Sequence, residues 1–221
     1  MKYPTDFSNW TTQMAHDAFG LKAVETLPSL KEWENGVAII SAYDRQKLAD
    51  LLTYAKPRVS FWSEGDIKLK LLGPMLVIAN IDNSEFSTFS ETLIKAHIET
   101  VQDGKITVAG RPDLMVATGE FEAKLPYFCM QEYKPKKRGS DPRGQTLVAL
   151  MATQELNKME KKPQKVLYGA FSIGRDWTFM TLEGNEYALS KGYFLDQQQD
   201  IEDVVKGFRV LKDLISKSMN E

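Results

Sequence analysis

The sequence predicts an α/β fold in which a mixed β-sheet is flanked by helices. Three observations indicate it: helical periodicity in the first quarter and at the end of the chain, runs of β-forming residues between them, and a helical segment that separates two groups of strands. No linker divides residues 57–221. We therefore expect residues 1–56 to form a helical N-terminal extension packed on a domain of residues 57–221.

The composition excludes some classes of binding site. The 221 residues are 43% hydrophobic and 26% charged, with a formal net charge of -2, so a polyanion must be held by a local patch. Cys129 is the only cysteine, which excludes an internal disulfide and favours a cytoplasmic protein, and we expect it to be buried and inert. Two histidines, His16 and His97, are too few for a histidine metal site, and we expect both to be surface or hydrogen-bonded residues.

The N-terminal elements follow from helical spacing. A short helix is predicted near residues 6–18, and a clearer one over AYDRQKLADLLTYAK, which Pro57 ends. Ser63 and Asp66 have the spacing of a capping box, so another helix should begin at Glu64. Glu64 lies three residues before Ile67, so its side chain should face the core rather than solvent. The buried stripe of this helix is predicted to be Ile67, Leu71 and Met75.

The central region is predicted to be mostly strands. NSEFSTFSETLIKAHIET is assigned to helix or irregular structure, because its apolar positions are scattered. KITVAG, GRPDLMVAT and EFEAKLPYFCMQEYKP then predict a three-stranded antiparallel meander that ends at Pro135.

The last elements have clear boundary signals. Asp141 and Pro142 are an N-cap and first-turn pair for a helix that ends near Lys162. KVLYGAFSI, WTFMTL and EYALSKGYFL predict three strands joined by turns at GRD and EGN. A closing helix over residues 200–218 should bury Ile201, Val204, Val205, Phe208, Leu211 and Ile215.

Charged residues in the strand YFCMQEYKP predict a functional site. Side chains alternate along a strand, so Glu132 and Lys134 share one face while Tyr133 points to the other. If PDLMVAT runs antiparallel to this strand, Asp113 lies opposite Glu132. Carboxylates are the ligands that Mg²⁺ prefers, the Tyr133 carbonyl can add another oxygen, and Lys134 can position or activate water, especially if burial and the metal lower its pKa.

Competing interpretations remain open for these residues. Glu122 and Lys124 form a second Glu-x-Lys that could pair with Asp113, although their segment is better explained as the outer turn of the hairpin. Asp113 also suits a strand-initiating turn, and Glu132 with Lys134 suits a solvated cross-strand pair.

Pro112-Asp113 and Glu132-Tyr133-Lys134, with the helix that follows them, resemble the PD-(D/E)XK nuclease superfamily, which includes the nuclease domain of type I restriction subunits. The resemblance covers residues 60–180 and implies a restriction-endonuclease-like fold. It also implies a metal role for Glu64, on the preceding helix, and a site role for Gln145, on the following one. Both residues have simpler explanations at a helix N-terminus.

The expected function is a Mg²⁺- or Mn²⁺-dependent nuclease acting on DNA, alone, as a homodimer or with restriction or repair partner subunits. Asp113, Glu132 and Lys134 carry the chemistry, and Gln145 helps hold the site. A basic patch beside it suits phosphate contacts, although it is equally typical of a solvated loop; its members are Lys136, Lys137, Arg138 and Arg143. The alternative is a nuclease-like module without cleavage that binds nucleic acid or protein.

Overall fold

The computed structural model describes residues 3–134 and 141–220. Within them a β-sheet lies between two layers of helices, so the predicted mixed α/β architecture is confirmed. The helices are α1 (Thr12–Phe19), α2 (Pro28–Asn35), α3 (Ala42–Ala55), α4 (Glu64–Ile67), α5 (Gly73–Ala79), α6 (Pro142–Met159) and α7 (Gln198–Met219). The strands are β1 (Lys22–Ala23), β2 (Phe86–Ser90), β3 (Ile94–Thr100), β4 (Gly104–Gly110), β5 (Leu114–Thr118), β6 (Lys124–Lys134), β7 (Leu167–Ile173), β8 (Asp176–Glu183), β9 (Glu186–Leu189) and β10 (Tyr193–Phe194).

The main sheet has the strand order β1-β9-β8-β7-β6-β5-β2, and β10 also pairs with β8. The β6–β7 and β1–β9 pairs are parallel, whereas the other pairs are antiparallel. A parallel pair needs a long crossover, and α6 provides it between β6 and β7. β3 and β4 form a separate two-stranded hairpin.

Side chains alternate between two cores, one on each face of the sheet. Val116 and Cys129 face the core that α3, α5 and α7 cover. Met115 and Met130 face the opposite core, which α1, α6 and the β3–β4 hairpin cover. Residues of one strand therefore belong to different layers according to their parity.

Several predicted elements are confirmed. Ser63 and Asp66 form a reciprocal capping box, and α4 begins at Glu64 as expected. The predicted stripe of Ile67, Leu71 and Met75 is buried. Asp141 caps α6, with Pro142 in its first turn, and all six apolar residues predicted for the closing helix are buried along α7.

The segment NSEFSTFSETLIKAHIET was assigned wrongly, because it forms β2 and β3 rather than helix or irregular structure. Ile94, Ala96 and Ile98 are buried, whereas Lys95 and His97 between them are exposed. This is the period of a half-buried strand, and the polar character of the flanking residues obscures it.

The predicted three-stranded meander is half right. β5 and β6 are antiparallel neighbours, but β4 pairs with β3 rather than with β5. β2 takes the place beside β5 instead. Strand propensity identifies the segments but does not select their partners, since pairing depends on packing across the whole sheet.

The N-terminal segment contributes to every layer of the fold. The helix predicted near residues 6–18 is divided into a 3₁₀ turn, Phe7–Asn9, and α1, whose N-cap is Thr11. β1, which the helical prediction missed, adds a parallel strand beside β9, while α2 and α3 pack on α7. Among the described residues, no helix combines the length and apolar character needed to cross a membrane.

Candidate active site

The candidate site begins at the register of β5 and β6. Leu114 pairs with Gln131, so Asp113, the residue before β5, comes opposite Glu132, as the sequence predicts. The Tyr133 N–H donates a hydrogen bond of 2.6 Å to Asp113 Oδ2, which fixes the carboxylate against the strand. Because the N–H and C=O of a strand residue point toward the same neighbour, the Tyr133 carbonyl is directed to this side as well.

Burial contradicts the interpretation of Glu132 as part of a solvated pair. Asp113 is 6% exposed and Glu132 only 3%. Tyr133 points to the opposite core, where its ring packs 5.7 Å from that of Trp177. The predicted division of YFCMQEYKP into a charged face and an apolar face is therefore confirmed for Glu132, Tyr133 and Lys134.

Helix α4 brings a third carboxylate to the site. Glu64 is half-buried, and its Oε2 accepts a hydrogen bond of 3.2 Å from Lys134 Nζ. Lys134 Nζ also lies 3.6 Å from Glu132 Oε2. The three acids and the lysine that were predicted to act together therefore lie close to one another. All four line one cleft of about 200 Å³. We call it the acidic cleft; its residues are Asp6, Phe7, Ser8, Glu64, Lys68, Glu91, Arg111, Asp113, Glu132, Lys134 and Gln145.

The pKa values of the two buried carboxyls in the cleft are raised above those of exposed carboxyls. Burial, together with the negative charge of Asp113, raises the pKa of Glu132 to about 8. Burial also raises the pKa of Asp113, against the opposing effects of Lys68, the Tyr133 N–H and Lys134. Two adjoining carboxyls in a poorly hydrated place cannot both ionise freely, so near neutral pH they retain a proton.

Lys134 differs from its prediction. Burial acts to lower its pKa, but the negative charges of Asp113, Glu132 and Glu64 outweigh burial, and the pKa of Lys134 is raised. The expected lowering is therefore wrong for the protein alone. The ammonium of Lys134 stays protonated and acts as a hydrogen-bond donor to the cleft.

Lys68 is the main site residue that sequence reasoning missed. Its Nζ lies 2.5 Å from Asp113 Oδ1, 3.0 Å from Glu64 Oε1 and 3.3 Å from Glu91 Oε1. The signal was present, since Glu64 and Lys68 have the i, i+4 spacing of a helical ion pair in its favourable order. Glu91 and Arg111 were also missed; Arg111 Nη1 donates to the Glu91 carbonyl at 2.7 Å.

Gln145 lies in the cleft as predicted, at the start of α6. It is 3% exposed, and its Nε2 donates to the carbonyl of Ser8 at 3.2 Å. Asp141 holds this junction by accepting from the N–H groups of Gly144, at 3.0 Å, and Thr12, at 2.6 Å. One carboxylate thus binds the first turns of both α1 and α6.

The basic patch is described only at its last member. Arg143 is half-buried, with Cζ 5.7 Å from the ring centroid of Phe171, and its positive charge opposes the rise in the pKa of Tyr187 that burial causes. It therefore packs beside the β7–β9 region instead of lining the acidic cleft. Lys136, Lys137 and Arg138 lie outside the described residues.

The competing Glu-x-Lys belongs to the far end of β6. Glu122 and Lys124 form an exposed ion pair at 3.6 Å, with side chains 77% and 64% exposed. Glu122 lies in the turn that precedes β6, and Lys124 is the first residue of the strand. Asp113 pairs with neither of them, because its hydrogen bonds are with Lys68 and Tyr133. The interpretation of this segment as the outer turn is confirmed for residues 119–123, whereas residues 124–126 belong to β6.

His16, His97 and Cys129, for which no catalytic role was expected, are hydrogen-bonded or buried. His16 Nε2 lies 2.8 Å from the Tyr187 hydroxyl, and the exposed His97 lies 2.9 Å from Thr107 Oγ1. Cys129 is fully buried, which raises the pKa of its thiol to about 12.

The donor set fits Mg²⁺ or Mn²⁺ by its chemistry. Asp113, Glu132 and Glu64 are hard oxygen donors directed into one cleft. Among residues 3–134 and 141–220, however, no three acidic, histidine or cysteine side chains are close enough together to hold a metal ion as they stand. The ammonium groups of Lys68 and Lys134 lie between the carboxylates instead.

No protein-family model matches the sequence, and the comparison with curated proteins gives no match.

Proposed function

We propose that the protein is a metal-dependent nuclease that hydrolyses the phosphodiester bonds of DNA. The observation that carries this proposal is the meeting of Asp113, Glu132 and Lys134 on one face of β5 and β6, in a cleft that Glu64 also lines. Burying such a cluster is costly, because each charge loses hydration. Clusters of perturbed acids in a cleft are typical of functional sites.

The order of elements supports a restriction-endonuclease-like fold. Helix α4 precedes the antiparallel pair that carries the acids and the lysine, and α6 follows the lysine strand and leads to β7. This arrangement matches the one that the Pro112-Asp113 and Glu132-Tyr133-Lys134 motifs imply through their resemblance to the PD-(D/E)XK superfamily.

Asp113 and Glu132 are the proposed metal ligands, with Glu64 and the Tyr133 carbonyl as further donors. When bound, Mg²⁺ or Mn²⁺ stabilises charge on the attacked phosphate and lowers the pKa of water. Glu132 must release its proton before it acts as a ligand, since its pKa is raised to about 8. Asp113 is already held in place by the Tyr133 N–H.

Lys134 and Gln145 orient the other reactants. The carboxylates around Lys134 keep it protonated, so it donates hydrogen bonds to the attacking water or to a phosphate oxygen. Gln145, held by the Ser8 carbonyl, limits the cleft on the side of α6. Lys136, Lys137 and Arg138, which follow Lys134 in the sequence, are the proposed phosphate contacts of flanking DNA.

A plasmid-nicking assay tests this function. Purified protein should cleave supercoiled DNA with Mg²⁺ or Mn²⁺ and stop when a chelator is added. Lys134→Ala should lower the cleavage rate by roughly 100-fold or more, the usual effect of losing a positioned proton donor or acceptor. Lys124→Ala is the matched control, because it lies on the same strand in an exposed ion pair at the other end. Equal rates for the two variants, or cleavage unaffected by the chelator, would contradict the proposal.

One observation favours a second candidate, a nuclease-fold module that binds nucleic acid or protein without cleaving. Lys68 and Lys134 already neutralise the carboxylates of the cleft, so the cluster also makes sense as a stable ion-pair network. Binding of DNA that needs no divalent ion, without cleavage, is the outcome expected of such a module.

A further inference from the structure

Lys68 occupies the centre of the carboxylate cluster. Its ammonium contacts Asp113, Glu64 and Glu91 at 2.5, 3.0 and 3.3 Å, respectively. Its side chain is 24% exposed, so these ion pairs are partly shielded from water. A single positive charge thus bridges the same Asp113 and Glu64 carboxylates that are proposed to bind a divalent ion.

The backbone at Lys68 is irregular in a way that has a clear cause. A π-helical turn begins there, in which the Gly73 N–H donates to the Lys68 carbonyl. Pro74 has no N–H to continue a regular helix, and its ring crowds the preceding turn. Single π-helical turns recur at functional sites. Lys68 is therefore set at a defined break in the helix, beside Glu64 at the N-terminal end of α4.

We propose that Lys68 is an internal counter-ion, which holds the cation position at Asp113 and must leave it before a divalent ion binds there. This inference rests on the proposed metal-dependent function. By neutralising Asp113 and Glu64, the Lys68 ammonium stabilises the protein in the absence of metal. A divalent ion must displace this ammonium from Asp113, and that competition lowers the affinity of the cleft for the metal.

Glu91 provides the destination for the released ammonium. It already contacts Lys68, and its side chain is 65% exposed, so it lies toward the solvent side of the cleft. Its backbone is held in a left-handed conformation with φ of 50°, and Arg111 donates to its carbonyl. Lys68 can leave Asp113 and keep one carboxylate partner, in a place where an incoming phosphate would also meet it.

The first test is calorimetric titration of the full chain with Mn²⁺ in the absence of nucleic acid. Lys68→Met should raise the Mn²⁺ affinity roughly three- to tenfold, since the competing charge is gone. Lys70→Met is the matched control: Lys70 lies in the same π-helical turn and makes the same kind of i, i+4 ion pair, with Asp66 at 2.5 Å, outside the acidic cleft. Lys70→Met should leave the affinity unchanged.

The stability of the same proteins gives a second readout. Lys68→Met should unfold at a lower temperature than wild type without metal, because it leaves Asp113 uncompensated, and Mn²⁺ should restore more of its stability than it adds to wild type. Lys68→Gln, which keeps a polar group, is the substitute if Lys68→Met does not fold.

Side-chain NMR of the lysine ammonium groups separates exchange from a general charge effect. Mg²⁺ should shift the Lys68 signal, identified by its loss in Lys68→Met, and leave the Lys70 signal in place. An unmoved Lys68 signal with Mg²⁺ bound, or equal Mn²⁺ affinity in wild type and Lys68→Met, overturns the inference alone. If neither protein binds Mn²⁺, the inference falls together with the proposed function.

Discussion

Glu132 is almost inaccessible to water, yet it carries an ionisable group beside another carboxyl. Its pKa rises from 4.5 to about 8 on folding, because burial and Asp113 both disfavour the charged form. Between these pH values the native state binds more protons than the unfolded state. The ionisation of Glu132 therefore lowers the free energy of unfolding as the pH rises from about 4.5 to about 8, the pKa of Glu132 in the native state.

Glu132→Gln should remove this pH dependence. We expect the variant to be more stable than wild type at pH 8.5 by about 1–3 kcal/mol, with a smaller difference at pH 5.5, where the native Glu132 is already protonated. Urea denaturation at the two pH values measures both differences. Glu122→Gln, in the exposed turn before β6, is the control and should follow wild type at both pH values. A Glu132→Gln variant that is no more stable than wild type at pH 8.5 would show that the buried carboxyl carries no such cost.

At this scale, period-two alternation accounts for the success of the sequence prediction. Asp113, Glu132 and Lys134 could be predicted because strand parity places side chains on a known face. Lys68 could not be selected in the same way, because a lysine four residues after a glutamate usually forms a solvated ion pair on a helix. The raised pKa of Lys134 depends on three carboxylates from separate segments, which no local pattern contains.

Among the elements, the N-terminal segment and α6 depend on an unusually close approach. A Cβ on Gly144 would lie 2.4 Å from the Thr11 carbonyl carbon and 2.5 Å from the Thr12 nitrogen. Only glycine allows this contact, which also lets Asp141 accept from Thr12 and Gln145 donate to Ser8. The junction therefore controls where Gln145 enters the cleft.

Gly144→Ala should separate these elements. We expect a loss of about 1–3 kcal/mol in the free energy of unfolding, since backbone atoms must shift to admit the methyl group. Gly65→Ala is the matched control in the first turn of α4, where the nearest atom to a new Cβ is Ser63 Oγ at 4.0 Å. That control should be neutral or slightly stabilising, because alanine favours helix. Equal stability of the two variants in urea denaturation would refute the tight junction.

The helices that begin with a capping residue could be predicted from the sequence. The Ser63 capping box and the Asp141-Pro142 pair both mark true helix starts. β2 and β3 have no comparable boundary signals, and their mixture of polar and apolar residues obscures the alternation of buried and exposed side chains. β1 is only two residues long, so no pattern could have indicated it.

The whole molecule assembles the cleft from segments that are distant in sequence. α4 supplies Glu64, the π-helical turn after it supplies Lys68, the residue before β5 is Asp113, and the end of β6 supplies Glu132 and Lys134. Residues 6–8, Glu91, Arg111 and Gln145 complete the wall of the cleft. The β5–β6 register was predictable from the motif, but the pairing of β4 with β3 was not, because the choice of strand partner depends on both cores at once.

The central claim is that Asp113 and Glu132 together bind a divalent metal ion in the acidic cleft. The most direct measurement is the anomalous difference density of crystals soaked with Mn²⁺ at a pH above 8, where Glu132 ionises. We expect a strong peak about 2.2 Å from oxygens of Asp113 and Glu132, with Lys68 displaced from Asp113. A cleft in which Lys68 still contacts Asp113, with no peak between the two carboxylates, would contradict the claim.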